Sequence, residues 1–254
     1  QNATASKFLD SVSAIPTKTR TVSSNVPQLP ARAPVVVEPQ TSYAVSELET
    51  YLRCPARYRY EYLMGLRDGT DGAAYLDFHR CVRRTLTWIQ QRRTEGMVTS
   101  VAEAMEHLDA IWAERGPIGH GFENYYRQAA NRMVVNGATY VAVEQGAYVD
   151  GPLEFPIAGR TVTMEPDRLV DAGGIIHVQR VRTGRQTKSE GDKPIYGALR
   201  LAAQRRFPDR IISVEAYYPS DDEKRDFPAG KEDKALKAFE GAINGIEAGL
   251  FPAK

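Results

Sequence analysis

The sequence predicts an α/β fold with a mixed central sheet and an amino-terminal helical extension. Three observations carry this. Hydrophobic spacing is helical over most of residues 46–147, alternates in residues 153–185, and is helical again from residue 193. From residue 122 the order is helix, three strands, helix, strand, which suits a sheet covered by helices. Turn signals sit where strands must reverse, at Ala158-Gly159 and at Ala172-Gly173-Gly174.

Residues 11–41 are rich in Ser, Thr, Pro and Val without periodicity and read as a partly extended linker. The domain proper is expected over residues 42–254, with a helical part at 42–121 and an α/β core at 122–254. In "SELETYLRCPARYRYEYLMGL", Ser46 has the N-cap type, and Glu49 sits three residues on at capping-box spacing. Pro55 interrupts this helix. Further helices are predicted over residues 73–93, 101–114 and 122–147. Strands follow over residues 153–157, 160–170 and 175–185. A helix over 193–206, the strand "RIISVEAYYP" and an amphipathic helix over 233–248 complete the chain. The last presents Leu236, Phe239, Ile243 and Ile246 on one face.

Composition sets bounds on function. The 254 residues are 42% hydrophobic and 26% charged, with net charge +1, so no whole-chain field favours nucleic acid. Two cysteines, Cys54 and Cys81, are too few for a disulfide framework and fit a reducing compartment such as the cytoplasm. No apolar run approaches membrane-spanning length, no secretory signal pattern opens the sequence, and no P-loop occurs.

The stretch "IIHVQRVRTGR" holds the main puzzle. Alternation puts Ile176, Val178, Arg180 and Arg182 on one strand face, and Ile175, His177, Gln179 and Val181 on the other. Two permanent cations thus follow two core residues.

Several motifs bear on that puzzle. "YAVSELETYLRCPARYRYEYLMGL", "YLDFHRCVRRTL", "PDRLVD", "VQRVRTGR", "DKPIYGALRLA" and "IEAGLFPAK" occur in this order. Together they resemble the RecB-like branch of the PD-(D/E)XK nuclease superfamily, whose core is also helix, three strands, helix, strand. The resemblance covers residues 42–254. "ASKFLDSV", residues 5–12, is similar to a segment near the end of UvrD/Rep-type helicase motors, so residues 1–10 read as the end of an upstream helicase region. It implies a helicase motor in the same or a partner chain, a role in DNA repair or recombination, and a place with the nucleoid in a bacterial cell.

The resemblance also implies site positions. His79 matches the site histidine and Asp167 the first aspartate, both metal-facing in the family. Tyr196 matches the tyrosine of the Gln-x-x-x-Tyr helix, and its glutamine position holds Asp192. Arg180 stands where the family has the aspartate of Asp-x-Lys, and Arg182 where it has the lysine. Phosphodiester hydrolysis needs Mg²⁺ or Mn²⁺ on oxygen ligands. A guanidinium in place of a carboxylate turns attraction for that cation into repulsion, worth roughly 4 kcal/mol per unit-charge pair at about 4 Å and an effective dielectric of about 20. Arg182 does not deprotonate, so it is no base. The expectation is an inactive nuclease fold without a bound metal, in which Arg180 pairs with Asp167. The competing expectation is a rebuilt Mg²⁺ or Mn²⁺ site using His79, Asp167, Glu165 and Asp192, with Glu165 on the same strand face as Asp167. A third is a module that docks on a helicase. Taken singly, Asp167-Arg168 reads as a surface pair and His79 as a helix-start histidine.

Basic residues are concentrated early. Residues 51–93 carry nine arginines and no lysine against four acids, a local charge of +5. Arg80, Arg83 and Arg84 share a helix face, as Arg53 and Arg57 are expected to do, with Tyr58, Tyr60 and Tyr62 interleaved. Arginines with aromatics suit single-stranded DNA, and Arg182 and Arg185 add to the set. A solvated helix over a tyrosine core is the plainer reading of the same pattern. Some RecB-like nucleases hold an iron-sulfur cluster on one early and three late cysteines. Cys54 matches the early one, and the 254 residues contain no late ones. The purified chain is therefore expected to show no iron-type visible absorbance, which a spectrum checks directly.

Overall fold

The alternating segments form strands, but they divide between two sheets. The computed structural model describes residues 35–66 and 73–253. In chain order the strands are β1 (Ser42–Ala44), β2 (Ala147–Tyr148), β3 (Leu153–Ile157), β4 (Arg160–Met164), β5 (Arg168–Asp171), β6 (Ile175–Val181), β7 (Ile211–Tyr218) and β8 (Glu223–Phe227). The helices are α1 (Val45–Arg53), α2 (Pro55–Tyr58), α3 (Ala74–Thr94), α4 (Val101–Arg115), α5 (Glu123–Val143), α6 (Pro194–Arg206) and α7 (Glu232–Glu247). A π-helical turn, Arg59–Leu63, follows α2, and a 3-10 turn, Glu190–Asp192, precedes α6. The helicase-like segment at residues 1–10 and most of the expected linker, residues 11–34, lie outside the described residues. Of the remainder of that linker, Val37 packs on the core, and the Thr41 carbonyl accepts the Thr161 N–H at 3.1 Å.

The larger sheet is mixed and runs β2-β5-β6-β7-β8, with only β6 and β7 parallel among its pairs. Helix α6 connects the parallel pair, as a crossover must. The smaller sheet runs β1-β4-β3. Its β3–β4 hairpin closes through Ala158 and Gly159, both at positive φ (50° and 73°), as a type I′ turn requires.

The strand expected at residues 160–170 is therefore two strands in two sheets. The break is Glu165-Pro166-Asp167, where the proline has no N–H to give a ladder. Glu165 and Asp167 consequently share no strand face, and Glu165 is exposed. The third strand ends at Val181, so Arg182 lies just beyond it, although its N–H still reaches the Tyr217 carbonyl at 2.8 Å. Strand β8 has no apolar alternation to announce it. It is a charged strand at the sheet's edge, where side chains of that kind resist further pairing.

Each face of the larger sheet carries its own core. Ile176 and Val178 join α1, α6, α7 and the smaller sheet, while Val181 and Tyr217 join α3, α4 and α5. The alternation predicted for residues 175–181 thus holds. The capping box predicted at Ser46 does not form. Strand β1 runs directly into α1, so Ala44 is the N-cap and Ser46 lies inside the helix. That leaves Glu49 free to reach elsewhere. The capping box that does form is Ser100 with Glu103 at α4. Tyr58 is fully buried, stacked between Tyr62 and Phe251, so it is a core residue rather than part of a basic surface. Gly197 lets α6 meet α7 closely, since a Cβ there would stand 2.8 Å from the Ala235 Cβ. Among the described residues no helix is long and apolar enough to cross a membrane.

Phe239 on α7 is completely buried in the first core. Phe239→Ala is expected to cost about 3–5 kcal/mol of stability, read as a lowered denaturant midpoint with an unchanged slope.

Candidate functional site

Asp167 sits in the kink between the two sheets and faces the end of β6. Its Oδ2 accepts the Val181 N–H at 2.7 Å, and its Oδ1 lies 3.4 Å from Arg83 Nη1 on α3. The arginine that meets Asp167 is thus Arg83, not Arg180 as the sequence suggested. Arg180 points from the opposite sheet face toward α1, where its Nη1 lies 3.4 Å from Glu49 Oε1. Burial works against the Arg180 charge, but Glu49, Tyr196 and Asp167 outweigh it and raise its pKa.

Arg182 is held by a residue that no motif marked. Its Nε lies 3.4 Å from Oε1 of Glu190, whose side chain is only 2% exposed. The same Oε1 accepts the Tyr196 hydroxyl at 2.7 Å, and Oε2 accepts from Lys193 Nζ at 2.7 Å. Burial alone would raise the Glu190 pKa. The hydrogen bonds from Lys193 and Tyr196, with the Arg182 charge, reverse this and lower it. Burial and the bond to Glu190 push the Tyr196 hydroxyl far above its ordinary value, while its ring stacks on Phe227 at 3.8 Å. Tyr196 is therefore a fixed donor to Glu190. The sequence signal for Glu190 was slight: a carboxylate with lysine three residues on, before a helix-starting Pro194.

The remaining predicted residues do not converge on Asp167. Asp192 is exposed and pairs with Lys231 Nζ at 2.9 Å, at the outer side of the 3-10 turn. His79 lies one helical turn before Arg83, packed on Tyr75 (4.4 Å between ring centroids) and Phe78 (4.5 Å). Burial and the nearby Arg83 lower its pKa, which favours the neutral ring. Of the basic residues, Arg57 pairs with Glu61 at 2.6 Å, Arg80 with Asp77 at 3.1 Å, and Arg83 with Asp167. Arg80, Arg83 and Arg84 lie on one continuous helix, α3, as expected. Arg53 and Arg57 do not, because extended Cys54 separates α1 from α2. Arg53, Arg84 and Arg185 are exposed and have no ion-pair partner among the described residues. Arg132 on α5 shares that condition and was missed, since it lies outside the arginine-rich stretch.

A scan against protein families matches the PD-(D/E)XK nuclease superfamily over residues 42–253. The chain belongs to that superfamily. A search of curated proteins finds no match. A PD-(D/E)XK nuclease centre implies a divalent metal on several carboxylates, and the donor set here does not fit one. Asp167 spends its oxygens on Val181 and Arg83, and Glu49 and Glu190 each face an arginine. Among the described residues no group of three or more His, Cys, Asp or Glu is arranged to hold a metal ion.

These pairs differ in weight. Glu49–Arg180 and Asp167–Arg83 are partly exposed and screened, which limits each to about 1 kcal/mol or less. Glu190 is buried and meets three donors, so it dominates. Because its folded pKa is depressed, its contribution is complete above the unfolded value of 4.5 and disappears as pH falls through the lower folded value. Glu190→Gln is expected to lose about 1.5–3 kcal/mol at neutral pH. Denaturant melts across pH should show that gap closing only under acid; a gap independent of pH contradicts the assignment.

Proposed function

We propose that this PD-(D/E)XK domain binds DNA without cutting it. The supporting observation is the pairing of Arg180 with Glu49 and of Arg182 with Glu190, at the two positions where the motif resemblance requires the aspartate and lysine of the reaction centre. A guanidinium there repels a divalent cation and offers no general base. The carboxylates that remain are neutralised by neighbouring guanidinium groups. Against a rebuilt site stands the placement of Glu165, exposed at the kink, and of Asp192, paired with Lys231 away from Asp167.

Binding then falls to arginines that are not spent on internal pairs. Arg182 serves Glu190, so Arg84, Arg132 and Arg185 are the better phosphate contacts. The RecB-like motifs and the "ASKFLDSV" segment support a finer reading: a module of a helicase-linked repair or recombination machine, working on single-stranded DNA in the cytoplasm or nucleoid. In this reading the fold retains the nuclease path for the strand and lacks the means to cleave it.

Labelled single- and double-stranded DNA, incubated with the chain in Mg²⁺ and in Mn²⁺, should remain intact, as it should with Asp167→Ala. Cleavage lost in that variant overturns the proposal. Gel shifts should show binding that weakens roughly twentyfold between 50 and 200 mM salt, the slope of about three phosphate contacts on a single strand.

A further inference from the structure

The residues around His79 form a cleft that the ion-pair network does not use. It lies between α3, α5, the Thr183–Arg185 segment after β6 and the turn after β7, and has a volume of about 240 Å³. That is below the roughly 300–1,000 Å³ of ordinary small-molecule pockets. It is room for one planar group rather than for a whole dinucleotide cofactor.

Its walls are aromatic. Phe78 and Tyr126 stack at 5.4 Å, 18° from parallel, and Tyr75 stands edge-on to His79. Tyr75 is 55% exposed and Tyr125 66% exposed, so two tyrosines of the cleft leave much of their surface in water. The rim is cationic. Arg132 and Arg185 line the cleft, and neither has an ion-pair partner among the described residues. Asp221 lines it as well, and its Oδ2 accepts the Ser220 hydroxyl at 2.9 Å. The Nδ1 of His79 is buried with no hydrogen-bond partner. Exposed ring faces, two uncompensated guanidinium groups and isolated polar atoms form a consistent set. A base presents a π-face, polar edges and a phosphate on each side.

We infer that this cleft is a stacking pocket for one unpaired base of a single strand, with Arg132 and Arg185 on the flanking phosphates. The inference rests on the nucleic-acid reading above and adds the strand type and the residues. Bases inside a duplex keep their faces against each other and cannot enter such a pocket, so it selects single strands or strand ends. It also gives His79 a role: the residue that the motif resemblance assigns to a metal faces the base instead. The cleft begins at Thr183, the residue after Arg182, so a strand crossing the former reaction centre meets it directly.

The test uses the full chain and a labelled oligothymidylate, compared with the same backbone carrying abasic sugars. Tyr75→Ala/Tyr125→Ala should bind the intact strand about tenfold more weakly and the abasic strand unchanged. Arg132→Ala/Arg185→Ala should weaken both strands alike and flatten the salt dependence. Tyr125→Phe should behave as the unmodified chain, and the emission of Tyr125→Trp should be quenched by the intact strand only. Both tyrosines are largely exposed, so melting midpoints should not move. If the tyrosine variant binds the intact strand at full strength while the arginine variant does not, the stacking pocket is wrong and the nucleic-acid reading stands. If the unmodified chain binds neither strand, both fall.

Discussion

A single hydrogen bond fixes the geometry on which the centre depends. Asp167 Oδ2 accepts the backbone N–H of Val181 and so ties the Pro166 kink to the end of β6. The kink is where the chain leaves one sheet and enters the other. Clamping it to Val181 places Arg180 just before the tie and Arg182 just after it. The other Asp167 oxygen meets Arg83, which brings α3 and its aromatic cleft against the same point. The two sheets and the helical layer therefore meet at one carboxylate.

Charge is balanced locally around that carboxylate. Each arginine near the strand end has its own acid: Arg83 has Asp167, Arg180 has Glu49 and Arg182 has Glu190. Only Glu190 is deeply buried, and it is also the best satisfied, by Tyr196 and Lys193 together. That ordering follows from desolvation. A buried carboxylate survives only where hydrogen bonds and cations replace its lost water, whereas partly exposed pairs remain partly hydrated and matter little. Glu190 is thus the carboxylate whose ion pairs and hydrogen bonds contribute most to holding the end of β6 against α6. Tyr196 is the fixed donor that supports Glu190.

On the proposed reading, affinity for nucleic acid sits beside this neutralised network rather than within it. The arginines and exposed tyrosines of the cleft, Arg132, Arg185, Tyr75 and Tyr125, belong to α3, α5 and the loop after β6, none of which contributes to either sheet. Binding and folding then depend on different residues. A strand could be held by changes on those surfaces without disturbing the ion pairs that hold the sheets.

Local chemistry in the sequence was enough to determine the α/β class, the Ala158-Gly159 and Gly173-Gly174 turns and the alternating faces of residues 175–181. Periodicity and turn types act over a few residues, so they are legible without a fold. The charged edge strand β8 was not legible, because its fifth residue alone is buried. Nor was the division of residues 160–170 between two sheets, although Pro166 marked where it had to fall. Tertiary structure alone decided the partners. Glu49 meets Arg180 across 131 residues, and Arg83 meets Asp167 across 84. The stacking of Phe78 on Tyr126 of α5, beside His79, was decided in the same way. A charge in a sequence shows what it can attract, and only the fold sets which opposite charge comes within 4 Å.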